Sequence, residues 1–282
     1  MNRLFLIGCA LMMLFSCEKK LLEDEEEFEE AQANLIINVF EMEQMPFAPL
    51  RTAASEVCTR LNFAIYDVDR NRVKQINQQV VDEHFGTAYF LLPEGDYQVV
   101  VVAHSSDGNP TMTDPTRVQF KNSQGFTDTF LYSHETTLTD QQQTLNASLD
   151  RIVALCRFVI TDDYPEQVAK MRFYYTGGSG AFNAYTGLGS VNSKQEMTFD
   201  VSAGQKQFDL YTFLHDTEGT IHLKVTALDA QDQELDEREF DVPLKRNFIS
   251  KVSGPYFDQS GAQNTIEIEI NTEWDGEIDL TF

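Results

Sequence analysis

From about Ala31 onward, short runs of alternating apolar and polar positions are separated by clusters of Gly, Pro, Asn and Asp. Residues 61–67 (LNFAIYD) alternate with period two, and residues 34–40 (NLIINVF) are dominated by β-branched and apolar side chains. Residues 87–92 (TAYFLL) run into Pro93-Glu94-Gly95-Asp96, a turn signature, and then into 97–103 (YQVVVVA). Further strands are expected at 156–161, 171–176, 197–201, 208–214, 221–228, 237–242, 265–270 and 277–282. Successive side chains of an extended chain point to opposite faces, so alternation marks a strand with one buried face. No long stretch shows the 3.6-residue recurrence of an amphipathic helix. Short strands with this punctuation predict an all-β fold made of sandwiches.

The pattern also hints at an internal repeat. Arg60-Leu61-Asn62-Phe63-Ala64-Ile65 can be laid beside Arg157-Phe158-Val159-Ile160, each closely following a cysteine. Gly95-Asp96-Tyr97, the 99–102 valines and His104 can be laid beside Gly204, Phe208-Asp209-Leu210 and His215. Two copies of one sandwich joined near Leu149 and a chance likeness of β-rich segments both fit. A length of 282 residues favours two domains, and 42% hydrophobic residues suffice for two cores.

The first residues break from this pattern. Asn2-Arg3 opens a short positive start, and residues 4–15 are apolar apart from Gly8 and Cys9. Such a run is a signal-peptide core and falls short of the roughly 20 residues of a membrane-spanning helix. It ends in Leu14-Phe15-Ser16-Cys17, which resembles the lipobox of bacterial lipoproteins: a small residue admits the signal peptidase, and the Cys17 thiol takes the acyl lipid. Phe15 is bulkier than the usual occupant. Leu6-Ile7-Gly8-Cys9 matches too but leaves almost no apolar core before it, so Cys17 is the expected lipidation site. Residues 18–30 (EKKLLEDEEEFEE) read as a solvated, self-repelling tether. The expected division is a signal peptide over 1–16, a lipidated acidic tether over 17–30, an N-terminal sandwich over 31–148 and a C-terminal sandwich over 149–282.

Charge and chemistry narrow the function. With 45 Asp and Glu against 21 Lys and Arg, the net charge is −24. That argues against nucleic acid and against docking on anionic lipid through protein charge. The histidines His84, His104, His134, His215 and His222 form no HExxH or HxH arrangement, and no CxxC pair exists. Thr176-Gly177-Gly178-Ser179-Gly180-Ala181 lacks the final glycine of a nucleophile elbow and the Gly-Lys-Ser/Thr of a phosphate loop, so a connecting loop explains it better. Asp67-Val68-Asp69-Arg70-Asn71 lacks the glycine and distal glutamate of a calcium loop and reads as a hairpin turn. Cys58 and Cys156 read as buried, inert thiols. No catalytic residue, metal site or cofactor is expected.

The lipobox at Cys17, the acidic tether, the opening strand at 34–40, the strand beginning at Arg60, the Leu92-Pro93-Glu94-Gly95-Asp96-Tyr97 turn and the second-half start at 155–160 with Pro165 following together resemble the fimbrillin-associated anchor lipoproteins of Bacteroides-type bacteria. The resemblance covers nearly the whole mature chain, and only its lipobox is sharp. It implies two tandem transthyretin-like Greek-key sandwiches and a non-enzymatic subunit of a type V pilus. Such a subunit would be held to the outer membrane through lipid on Cys17, exposed at the cell surface, and joined to a pilus stalk subunit by strand exchange. Stalk subunits of such pili lose their lipidated first strand by cleavage at an arginine. Arg51, between the first two strands, is the candidate processing site, and an uncut loop arginine is the other reading. An anchor must keep Cys17 attached to its fold, and anchor is favoured over stalk or tip. Residues 277–282, with Ile278, Leu280 and Phe282 on one face, read as either a closing strand or a donor strand. The alternative class is a surface module binding glycan or host protein, which exposed loop aromatics such as Phe182 and Tyr185 would favour.

Overall fold

The computed structural model describes residues 32–43, 58–121, 125–258, 266–269 and 276–281, and these contain strands, turns and no α-helix. The first half holds β1 (Leu35–Glu43), β2 (Arg60–Tyr66), β3 (Arg72–Gln79), β4 (Thr87–Phe90), β5 (Gly95–His104), the two-residue β6 (Val118–Gln119), β7 (Phe130–Leu138) and β8 (Gln143–Arg151). Seven of them form one sheet in the order β3-β2-β5-β7-β8-β1-β4. Only Phe130↔Arg151 and Leu131↔Asp150 join β7 to β8, and there the sheet folds over into two layers, β3-β2-β5-β7 against β8-β1-β4. Their facing side chains, among them Leu35, Ile37, Leu61, Phe63, Val99, Val101, Phe130, Ala147 and Leu149, make one core.

The second half holds β9 (Ala154–Ile160), β10 (Lys170–Thr176), β11 (Ala181–Phe182), β12 (Gln195–Asp200), β13 (Gln207–Thr212), β14 (Glu218–Leu228), β15 (Glu234–Lys245), β16 (Phe248–Gly254), β17 (Ile266–Glu269) and β18 (Gly276–Thr281). Here β12-β10-β14-β15 faces β13-β9-β16-β18-β17 across a second core containing Phe158, Phe173, Tyr175, Phe208, Leu223, Val225 and Tyr256. Buried phenols cost free energy unless paired. Tyr175 and Tyr256 meet that demand by donating to the carbonyls of Tyr211 at 2.9 Å and Val225 at 2.8 Å.

The two halves repeat one strand plan. β1 runs parallel to β8 and antiparallel to β4, and β9 runs parallel to β16 and antiparallel to β13. β2 lies between β3 and β5 as β10 lies between β12 and β14. This corrects the alignment expected from sequence. The segment containing Arg157 stands where β1 stands, so the counterpart of Arg60–Tyr66 is Lys170–Thr176, and the counterpart of β5 is β14. Cys58 and Cys156 are therefore not equivalent. Strands that alternate look alike in sequence, and only the hydrogen-bonded neighbours reveal which strand is which.

Each half also carries one insertion, and the insertions meet. Between β5 and β7 the first half inserts a long connection bearing β6, where the second half has a tight turn at Asp229–Gln233. Between β10 and β12 the second half inserts the segment bearing β11, where the first half has the Asp67–Asn71 turn. β6 and β11 pair through Ala181↔Gln119 and Phe182↔Val118. Around them a third core unites Ala64, Tyr66, Val100 and Val102 of the first half with Phe120, Phe126, Phe182 and Phe213. Phe213 lies at its centre, with ring centroids of Phe182 at 5.0 Å, Phe126 at 5.5 Å and Phe120 at 5.8 Å. The unbroken valines of β5 follow from this arrangement: Val99 and Val101 face the first core while Val100 and Val102 face the third. A strand buried on both faces has no use for polar alternation.

Candidate functional site

The feature most relevant to assembly is the position of β1. It lies between β8 and β4, with Leu35 and Ile37 fully buried and Val39 at 9% exposure. Parallel pairing with β8 runs from Leu35↔Gln143 to Val39↔Ala147, shifts register, and resumes from Glu41↔Ser148. Antiparallel pairing with β4 runs from Leu35↔Phe90 to Asn38↔Thr87. Asn34 secures the entry as an additional rung. Its side chain donates to the Leu92 carbonyl at 2.7 Å and accepts from the Leu92 amide at 3.0 Å. Its backbone amide donates to the Phe90 carbonyl at 3.0 Å, and its carbonyl accepts from Gln143 at 2.9 Å. The sequence reading counted Asn34 as the first residue of a strand and did not single it out, because an asparagine beside a strand is ordinary punctuation.

Residues 44–57 lie on the connection from β1 to β2. That segment, with Arg51, lies outside the described residues, and so does Cys17 with the leader and tether. The equivalent slot in the second half is filled by β9, which follows β8 after Ile152 and Val153 alone. At the other end of the chain, β18 lies alongside β16 in parallel from Phe248↔Gly276 to Ser253↔Thr281, with β17 outside it. Gly276–Thr281 thus pairs within this chain's own second sandwich. The chain leaves β16 under tight control: the Asp162 carboxylate accepts the amides of Tyr256 at 2.8 Å, Phe257 at 2.6 Å and Asp258 at 2.7 Å.

Other residues noted in the sequence take structural places. Ser179 is fully buried, and its hydroxyl donates to the Ala181 carbonyl while accepting the amides of Ala181 and Val191, each at 3.2 Å. A side chain at Gly178 would come within 2.0 Å of Thr212 Oγ1, so this glycine-rich stretch is a packed connector. Asp67 Oδ1 accepts the amides of Asp69 and Asn71, closing the hairpin turn between β2 and β3. Cys58 and Cys156 sit in separate cores, where burial pushes each thiol up to about 12. The pairing of Phe182 with Tyr185 as exposed loop aromatics needs correction. Tyr185 is 41% exposed, but Phe182 is fully buried because β11 turns it into the third core.

The family described as "Family of unknown function (DUF6562)" matches residues 25–282. The chain belongs to that family. No curated protein matches it. Among solved structures, a candidate adhesin from Bacteroides ovatus is similar at a TM-score of 0.50 and 15% identity, over 84% of this chain and 88% of that one. A fimbrial assembly protein from Parabacteroides distasonis is similar at 0.47 and 14%, over 87% of this chain and 97% of that one. The fimbrial anchor protein Mfa2 from Porphyromonas gingivalis is similar at 0.45 and 14%, over 72% and 80% respectively. At 15% identity, the likeness to the Bacteroides ovatus protein is one of fold.

Proposed function

We propose that the chain is a non-enzymatic, lipid-anchored subunit of a type V pilus, an anchor rather than a stalk subunit, built of two tandem transthyretin-like sandwiches. It is held to the outer membrane at the cell surface by lipid on Cys17 and joins a stalk subunit by strand exchange. One observation supports this reading: β1, the strand ahead of Arg51, lies between β8 and β4 in the first sandwich, and residues 44–57 connect it to β2. A slot of that kind suits augmentation by a strand of any chain that offers the same alternation, because main-chain hydrogen bonds supply affinity and alternate side chains supply register. The repeated strand plan and the fold shared with a candidate adhesin support a surface role.

The anchor and stalk roles differ at Arg51. An anchor retains β1 in continuity with Cys17, whereas a stalk subunit exchanges β1 for a neighbour's strand after cleavage. Purified surface filaments, separated without boiling and examined by mass spectrometry, provide the test. The anchor reading expects this chain as an acylated, uncut species at low copy, unchanged by Arg51→Ala and freed from membranes by Cys17→Ala. Abundant chain beginning at Thr52 moves the assignment to stalk. Filaments devoid of the chain defeat the pilus reading.

A further inference from the structure

We propose that the groove between Tyr185 and the β5–β7 edge is a binding site for a neutral saccharide. The groove has a volume of about 640 Å³ and is lined by Asp67, Arg70, Asp96, Gln98, Glu135 and Tyr185. It lies where the β2–β3 turn of the first half faces the insertion of the second, so neither half forms it alone.

Three features point to a ligand. The first is Tyr185, a 41% exposed aromatic on a loop braced from several sides. Its amide donates to Asn183 Oδ1 at 2.9 Å, the Ala184 amide donates to the Pro115 carbonyl at 2.7 Å, and Arg246 donates to the Thr186 carbonyl at 3.0 Å. A part-exposed ring on a braced loop offers a stacking platform on the face that the Arg70 guanidinium does not cover. The second is Gln98, only 7% exposed, whose Nε2 donates to Ser133 Oγ at 2.8 Å while its Oε1 is buried with no hydrogen-bond partner. Rotating the amide would give Oε1 the serine hydroxyl and leave Nε2 without a good partner, so one polar atom is orphaned either way. Buried polar groups are nearly always paired, and a turn of this side chain toward the groove it lines would open the orphaned atom to a bound group or water. The third is the balance of acceptors and donors. Asp67 is committed to its turn, and Asp96 Oδ1 accepts from Thr137 Oγ1 at 2.6 Å. Asp96 and Glu135 line the groove together with one cation among the described residues, Arg70, whose guanidinium carbon lies over the Tyr185 ring at 5.7 Å from its centroid.

A pyranose ring matches this set. Its C–H face covers an aromatic ring, its hydroxyls donate to carboxylates and, once Gln98 turns toward the groove, to its amide oxygen, and a guanidinium donates back to its oxygens. An acidic sugar would bring negative charge against three carboxylates on a chain of net charge −24. This inference stands apart from the pilus reading, since a groove between the two halves is available to an anchor, a tip or an unassembled surface protein alike.

The test is the purified full chain applied to an array of neutral hexose and N-acetylhexosamine oligosaccharides, sialylated glycans and a lysine-rich peptide. Hits are then titrated by saturation-transfer-difference NMR. Binding of at least one neutral oligosaccharide is expected, weakened tenfold or more by Tyr185→Ala. Gln98→Leu should weaken it comparably without lowering the melting temperature, an outcome that a purely structural glutamine would not produce. Absence of neutral binding, binding indifferent to Tyr185→Ala, or selective capture of the sialylated glycans or the peptide would overturn the proposal.

Discussion

His104 is the buried residue whose chemistry most depends on pH. It is fully buried, its Nδ1 accepts the Ser106 amide at 3.1 Å, and its Nε2 therefore donates to Asn62 Oδ1 at 2.8 Å. Asn62 in turn donates to Asn77 at 2.8 Å and Asn109 at 3.0 Å, so the imidazole anchors a polar network within β2, β3 and the first insertion. Burial, aided by the nearby Arg60 charge, lowers its pKa from 6.5 to about 4. The folded protein then binds fewer protons than the unfolded chain between those values. The associated stability is complete above about pH 6.5 and is lost as the pH falls toward 4, a change of roughly 3 kcal/mol. Urea unfolding of wild type and His104→Gln at pH 7 and pH 4.5 should show their stability gap shrinking on acidification. A gap independent of pH would sink the assignment. Asp162 offers a second residue-level test. Its three amide bonds are charge-assisted, so Asp162→Ala should cost about 2–4 kcal/mol in the same assay, with Asp162→Asn between. A loss under about 0.5 kcal/mol would mean that water replaces the carboxylate without penalty.

At the scale of elements, strands with one apolar face were legible, and others escaped. β3 is RVKQINQQ, mostly exposed, and has almost no apolar alternation to read. Its place at a sheet edge is set by pairing with β2. β8 does alternate, through Leu145, Ala147 and Leu149, but its intervening polar residues resemble a loop. β1 was legible as a strand, while its slot was not, since the slot is made by β4 and β8 far along the chain. Burying Leu35, Ile37 and Val39 stabilises the first sandwich by about 5–9 kcal/mol before ordering costs. A chain beginning at Thr52 should accordingly melt far below the full chain, and a synthetic peptide spanning 33–43 should restore much of the difference when added in trans. An unchanged melting temperature in the truncated chain would show that β1 is dispensable and remove the support for strand exchange.

For the whole molecule, the third core decides whether the halves behave as one body. Arg151 reinforces it: with its side chain 3% exposed, it makes a bidentate pair with Asp128 at 2.7 and 2.8 Å and donates to Asn247 at 3.1 Å. Calorimetry of the full chain should give one unfolding transition. Phe213→Ala removes the ring on which three others converge and should cost about 3–5 kcal/mol. Because that loss falls between the sandwiches, it should split the transition in two. A single transition in the variant, merely shifted downward, would place the cooperativity elsewhere.

Local text sufficed for the properties that are themselves local. Period two announces strands, and Asp67-Val68-Asp69-Arg70-Asn71 announces a turn. The lipobox expected at Cys17 is a pattern of the same local kind and lies outside the described residues. Tertiary structure decided partnership. Alternation tells that a strand has a buried face but not which strand lies beside it, so the repeat was visible while its register was one strand off. A phenylalanine in a loop reads alike whether exposed or docked, so Phe182 and Tyr185 looked equivalent until β11 met β6. Gln98 cannot be singled out in the sequence, because a glutamine is orphaned only by what surrounds it, and its neighbours Tyr66 and Ser133 come from strands distant along the chain.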